Sequence, residues 1–454
     1  MIRMPFHPDD VPYIPGERVC EEKEGSMYLI LAPELPNCIS VNAEARTVID
    51  LCDGVKTIRE ITKELSRSVG EDPEENLSDM VGFFTYLESK KFAFKEPIKQ
   101  EGPLPREPDN LEQLWLNITN ECNLRCRHCH SFFGSPLKNE LTTEEITNLI
   151  KEASSFKECT LVISGGEPFC RDDISKIVKA ASHHFGRRVS VITNGTLIDD
   201  EKAQLLADSH VKVQISLEGP DPESNDTIRG TGVFTKAVAA LRRLKKLGVD
   251  VTVRMTLLKT NKHKMREVIE FVKKEGIAPV SFELLKMGGR SLDSLENINL
   301  TTDELIQTYR QITELDPDSS YIGFDESLKP GVTRMVKRDL CSAGHQMLSV
   351  GADGGVYPCA GLMYPEFLAG NVRENPLDKI WKESLILNTI RRLSVSQIPE
   401  CMDCPIRYLC GGGCLVDIFW EHKTLCKKTP RCAFMRAMKW DELKASKYKK
   451  KSWG

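Results

Sequence analysis

Residues 114–130 read LWLNITNECNLRCRHCH, an apolar, β-prone run followed at once by three cysteines, Cys122, Cys126 and Cys129, within eight positions. The run predicts a strand, and the cysteines fall in the loop that leaves it. Thiolates are soft ligands that suit iron–sulfur clusters and zinc. Three of them on a 4Fe-4S cluster would leave one iron without a protein ligand, whereas a tetrahedral zinc site would need a fourth donor, which His128 or His130 could supply. Spacing alone leaves both open.

Outward from this stretch, strands alternate with amphipathic helices from 113 to about 285. The strands are expected at 114–119, 160–164, 188–193, 211–217, 250–258 and 280–285, mostly apolar as buried parallel strands are. One helix begins at the capping box of Thr142 and Glu145, and two others stop at Gly248 and Gly276. Six such units predict an α/β fold, a partial (β/α)6 TIM-like barrel with its chemistry in the loops at the strands' C-terminal ends. The second such loop carries Gly165, Gly166 and Glu167 in VISGGEPFC (162–170).

Before the barrel, a strand near 26–35 and three helices predict a winged-helix-like unit over 1–97. Asn42 caps the first helix, Thr57 and Glu60 box the second, and 74–90 forms the third. The Pro-rich, charged stretch 98–112 reads as a linker, so this unit should be separable. The barrel is assigned to 113–330, a Cys-rich domain to 331–440 and a solvated basic tail to 441–454. The chain has 454 residues, 62 Lys plus Arg against 66 Asp plus Glu, and nothing in that balance demands a nucleic-acid or membrane partner. Between 13 and 95, 16 acidic residues outnumber 10 basic ones, which opposes DNA binding by the winged-helix-like unit. With no secretory signal and no span of about 20 apolar residues, a cytoplasmic location is expected.

Sixteen cysteines without an export signal point to metal or cluster ligation rather than disulfides. Seven follow the barrel: Cys341, Cys359, Cys401, Cys404, Cys410, Cys414 and Cys432, four of them within fourteen residues. Cys20, Cys38, Cys52, Cys159, Cys170 and Cys426 are scattered and read as packing residues. Cys-x3-Cys-x2-Cys after the first strand, GGEP after the second, TNGTLI (193–198) and SLEGPDPESNDTIRG (216–230) together resemble the radical S-adenosylmethionine (SAM) enzymes over 113 to about 290. The resemblance implies that Cys122, Cys126 and Cys129 hold a 4Fe-4S cluster whose open iron chelates SAM, which is split to methionine and a 5'-deoxyadenosyl radical. It further implies that Gly165, Gly166 and Glu167 hold the methionine amino group, and that Ser216 and Arg229 contact its carboxylate or the ribose. His128 stands where many members carry an aromatic.

The downstream cysteines resemble the seven-cysteine SPASM extension with two auxiliary iron–sulfur clusters. That likeness implies one cluster on Cys401, Cys404, Cys410 and Cys432, and another on Cys341, Cys359 and Cys414 with an open site or a non-cysteine ligand. Ala360 replaces the Asp that sulfatase-maturing relatives carry, which argues against their reaction. The N-terminal unit is similar to the peptide-recognition domain related to the small chaperone of pyrroloquinoline quinone biosynthesis, which adds a leader peptide to a sheet edge. The resulting expectation is a radical SAM/SPASM enzyme, closest to thioether-forming maturases. It would cross-link, epimerise or otherwise oxidise a ribosomally made precursor peptide, with electrons from a flavodoxin or ferredoxin. The alternatives are a SPASM enzyme acting on a small molecule or tetrapyrrole, and a noncatalytic zinc or iron–sulfur scaffold.

Overall fold

Alternation along two short strands decides how the N-terminal unit sits on the rest. The chain's computed structural model describes residues 6–14, 19–23, 27–32, 37–97, 110–277, 279–316, 322–324 and 340–445. Most of the expected linker, the expected boundary at 330 and the end of the expected tail from 446 lie outside the described residues. Strands β1 (Val19–Lys23), β2 (Met27–Ala32) and β3 (Asn37–Asn42) pair antiparallel in the order β1-β2-β3. Period two sends neighbouring side chains to opposite faces. Ile30, Ala32, Ile39 and Val41 pack with the side that carries α1 (Ala43–Asp50), α2 (Ile58–Val69) and α3 (Pro73–Ser89). Those helices start as expected, with Asn42 capping α1 and the Thr57–Glu60 box closing α2.

The other face of the sheet is buried as well. Leu29, Leu31 and Cys38 meet Ile406, Leu409, Trp440 and Leu443 from the C-terminal part, with Cys404 and Cys410 packed against the same cluster. This contact opposes the expected separability, since cutting the unit away would strip an apolar surface beside two of the candidate ligands. The expected tail also starts later: Asp441 to Ala445 complete the helix Cys432–Ala445, and Trp440 and Leu443 are in the core. At the other end of the linker, Leu111 is fully buried in the barrel core.

Strands β4 (Gln113–Asn117), β5 (Thr160–Ser164), β6 (Val189–Thr193), β7 (Lys212–Ser216), β8 (Val251–Leu257) and β9 (Val280–Leu284) lie side by side in chain order, all parallel. Leu116, Ile163, Val213, Val253 and Phe282 face the surrounding helices in one continuous core. The alternate positions Gln214, Ser216, Arg254, Thr256 and Glu283 are only half-buried, and Arg254 pairs with Glu283. The strands are thus apolar on one face and largely polar on the other, unlike the side-chain-filled interior of a closed TIM barrel.

The sheet also outruns the expected end of alternation near 300. β10 (Ile322–Phe324) adds parallel to β9, and β11 (Met347–Val350) adds parallel to β4 with Leu348 opposite Leu114. β12 (Gly355–Tyr357) and β13 (Gly370–Asn371) continue antiparallel, so one ten-stranded sheet carries both the barrel and the start of the Cys-rich segment. Strands of two to four residues offer too little period to be seen in a sequence. Among the described residues no helix is long and apolar enough to cross a membrane.

Replacing Leu31 with Ala should destabilise the apo-protein by about 2–5 kcal/mol, the cost of a large-to-small change at a buried leucine. Denaturant unfolding with an unchanged midpoint would show that the sheet does not bear on the C-terminal helix.

Candidate active site and cluster-ligand loops

The β4 loop is held from several sides. Cys122 N donates to Gly134 O at 3.0 Å, Arg127 N to Ile228 O at 3.0 Å, and Ser291 N to Cys129 O at 3.0 Å. Arg290 reaches in from beyond β9, with Nη1 donating to Phe133 O at 2.6 Å and Nε to Cys126 O at 3.3 Å. Asn123 donates to Thr196 Oγ1 at 2.8 Å and accepts from Asn194 Nδ2 at 2.9 Å, which ties this loop to the loop after β6.

The glycines after β5 are required by close approach. Gly166 N donates to Thr119 O, and a Cβ on Gly166 would stand 2.1 Å from Glu121 O. Gly165 adopts a φ of 131°, and a Cβ there would meet Thr119 O at 2.4 Å. Glu167 is buried, and its carboxylate already accepts from Phe169 N at 3.2 Å, Thr193 Oγ1 at 2.8 Å and Asn194 N at 2.8 Å. Burial raises its pKa despite these donors. Glu167 therefore fastens the β5 loop to the β6 loop, a role the sequence motif did not disclose.

Arg229 is also more constrained than expected. Its Nη2 and Nε donate to Glu218 Oε1 at 2.6 Å and 3.1 Å, and Nη1 lies 4.0 Å from Cys126 Sγ. Glu218 is 0 % exposed and also stands 3.2 Å from His128 Nε2, while its Oε2 accepts from Thr256 N at 2.7 Å. Burial works to raise the Glu218 pKa, but His128 and Arg229 hold it at about 2. This residue was missed in the sequence, although it sits inside the SLEG run; its spacing from Arg229 across a helix gave no periodic signal. Ser216, half-buried at the end of β7, precedes it by two residues.

Electrostatics sort the thiols into three sets. Cys122 is pushed up to about 12 by burial, with Glu167, Cys126 and Cys129 acting in the same direction. Cys359 is pushed up to about 12 by burial and by Cys341 and Cys414. Cys410 is pushed up to about 12 by burial and by Cys404, Cys401 and Cys432, and these four line one cavity. Among the described residues no three His, Cys, Asp or Glu side chains close around a single metal ion. A cubane spreads its thiolates over separate irons, whereas zinc bonds of about 2.3 Å draw the sulfurs together. His128 Nδ1 is buried without a hydrogen-bond partner among the described residues, the kind of orphaned atom that a bound cofactor satisfies. His130 is held near a pKa of about 4 by burial and then by the charge of Lys286. Of the scattered cysteines, Cys38, Cys52 and Cys159 are buried as expected and Cys170 is intermediate, but Cys426 is exposed, so packing is not its role.

Glu218→Gln should cost about 3–5 kcal/mol, because it leaves the buried Arg229 without its counter-charge; unfolding of the apo-protein with no loss of stability would contradict the network. Gly166→Ala should abolish iron uptake at the β4 loop, read by reconstitution and iron counting.

Residues 116–272 match the radical SAM superfamily, residues 341–405 the SPASM iron–sulfur cluster-binding domain, and residues 28–93 the coenzyme PQQ synthesis protein D (PqqD). The chain is 31% identical over 350 residues to mycofactocin maturase MftC of Mycobacterium tuberculosis, covering 73% of this chain and 86% of that protein. It is 26% identical over 336 residues to the AdoMet-dependent heme synthase of Methanosarcina barkeri, covering 70% of this chain and 95% of that one. Its fold is similar to Streptococcus suis SuiB bound to precursor peptide SuiA, with a TM-score of 0.62 at 15% identity over 93% of this chain and 99% of that one. The chain therefore belongs to the radical SAM superfamily of enzymes, as a member with a SPASM iron–sulfur domain and an N-terminal PqqD domain.

Proposed function

We propose that this enzyme modifies a ribosomally synthesised precursor peptide, by a thioether or carbon–carbon cross-link, an epimerisation or a related oxidation. The observation that carries the reading is the PqqD-type sheet, which is packed through Leu29 and Leu31 against the loop and helix around Cys404 and Cys410. A leader added as a strand to an outer edge of that sheet would gain main-chain hydrogen bonds and raise the local concentration of the core peptide. The heme-synthase relatives support a second reading, a tetrapyrrole substrate, for which a leader-binding sheet has no use.

In this reading Cys122, Cys126 and Cys129 hold the SAM-binding 4Fe-4S cluster. Cys401, Cys404, Cys410 and Cys432 hold one auxiliary cluster, and Cys341, Cys359 and Cys414 another. When bound, the cluster and SAM supply one-electron chemistry that takes a hydrogen atom from an unactivated carbon. The backbone of Gly165 and Gly166 would receive the methionine amino group, and Glu167 would offer the one lone pair left on Oε2 while fixing that loop. Ser216 and the Nη1 side of Arg229 face the carboxylate or ribose. Glu218 keeps Arg229 and His128 in place beside the thiols. A flavodoxin or ferredoxin supplies electrons, in the cytoplasm.

Replacing Cys122, Cys126 and Cys129 together with Ala should abolish 5'-deoxyadenosine formation while about eight auxiliary irons remain. Undiminished 5'-deoxyadenosine would remove the assignment. A precursor without its leader should be modified at least ~10-fold more slowly than the intact peptide; equal rates would favour the tetrapyrrole reading.

A further inference from the structure

The set of Cys341, Cys359 and Cys414 is one ligand short of the four-thiol set beside it. Cys414 is the N-cap of the helix Leu415–His422, and Asp417 is the third residue of that helix. N-cap and N3 side chains face one another across the first turn, the adjacency that a capping box exploits when Glu or Gln at N3 reaches back to the N-cap amide. Aspartate is one methylene shorter, and no such bond forms here. Asp417 is 3 % exposed, and its Oδ1 has no hydrogen-bond partner among the described residues. Its other oxygen, Oδ2, lies 3.3 Å from Arg431 Nε, and Arg431 Nη2 donates to Leu285 O at 2.6 Å at the end of β9. The carboxylate is thus anchored through one oxygen and orphaned at the other.

A buried carboxylate oxygen with nothing to accept from is unfavourable, and each such atom in a native interior calls for a missing partner. We propose that Asp417 Oδ1 is the fourth protein ligand of the cluster held by Cys341, Cys359 and Cys414, an inference that rests on reading that set as a cluster site. Carboxylate is anionic like thiolate and is a harder donor. Bound so, this cluster has no vacant iron for substrate. Its function is then electron transfer, with its potential set by an oxygen ligand on one iron and by the ammonium of Lys286, whose Nζ lies 4.0 Å from Cys414 Sγ.

The test uses the full chain with Cys122, Cys126 and Cys129 replaced by Ala, so that only auxiliary clusters contribute. After anaerobic reconstitution, the reduced protein is titrated with cyanide as an exogenous ligand and followed by electron paramagnetic resonance. With Asp417 in place the auxiliary signals should not respond, while Asp417→Ala should give a cyanide-dependent signal from one cluster. A response already present with Asp417 intact, equal to that of the Ala variant, overturns the proposal. If the Ala variant loses iron, Asp417→Cys decides: restored iron with a shifted midpoint potential supports ligation, and restored iron at an unchanged potential, or no restoration, refutes it. About four irons rather than about eight in the parent would instead show that the three-thiol set holds no cluster, and would remove the underlying reading together with the proposal.

Discussion

Ten thiols are gathered into three places, and in each of them a desolvated thiol resists ionisation unless positive charge stands beside it. Burial pushes Cys122, Cys359 and Cys410 up to about 12, and in each set the neighbouring sulfurs push the same way. A bound iron centre reverses that logic, since metal coordination deprotonates a thiol outright. In the proposed reading the protein has only to hold the sulfurs where the metal would be, a task that fits the loop architecture. Gly165 and Gly166 let the β5 loop pass close under the β4 loop, and Arg290 holds two carbonyls of the cysteine loop from beyond β9.

The next constraint is the Glu218 network. A carboxylate without exposure is stable here because Arg229, His128 and the Thr256 amide all converge on it. Arg229 is thereby fixed with one nitrogen beside Cys126, so the cysteine loop, the β7 loop and β8 are coupled through one charge cluster. The alternate positions of β7 to β9 are polar and half-buried, which suits a polar occupant better than a packed core. The β1-β2-β3 sheet and Cys404 and Cys410 share an apolar interface, so in the proposed function peptide capture and cluster assembly would be built on common ground.

Much of this was legible in the sequence. The six strands fall within two residues of their expected ends, because β-branched runs bounded by Gly and capping boxes are strong local signals. The grouping of ten cysteines agrees with the electrostatic sets. What escaped notice was non-local. The second buried face shows in β2 as the unbroken apolar run Leu29 to Ala32, but nothing local says that Trp440 and Leu443 are what cover it. Glu218, Arg290 and Asp417 are single charged residues whose meaning comes from partners 11 to 164 positions away or from burial. Local patterns carry no trace of either.

If the barrel, its cysteine loop and the N-terminal sheet act together on a peptide, mass spectrometry of a leader-bearing precursor peptide coexpressed with the enzyme will reveal it. The expected result is loss of two hydrogens per cross-link, or deuterium incorporation from heavy water without other mass change for an epimerisation, both dependent on Cys122, Cys126 and Cys129. A peptide recovered unmodified, with the same enzyme converting a tetrapyrrole, would contradict it.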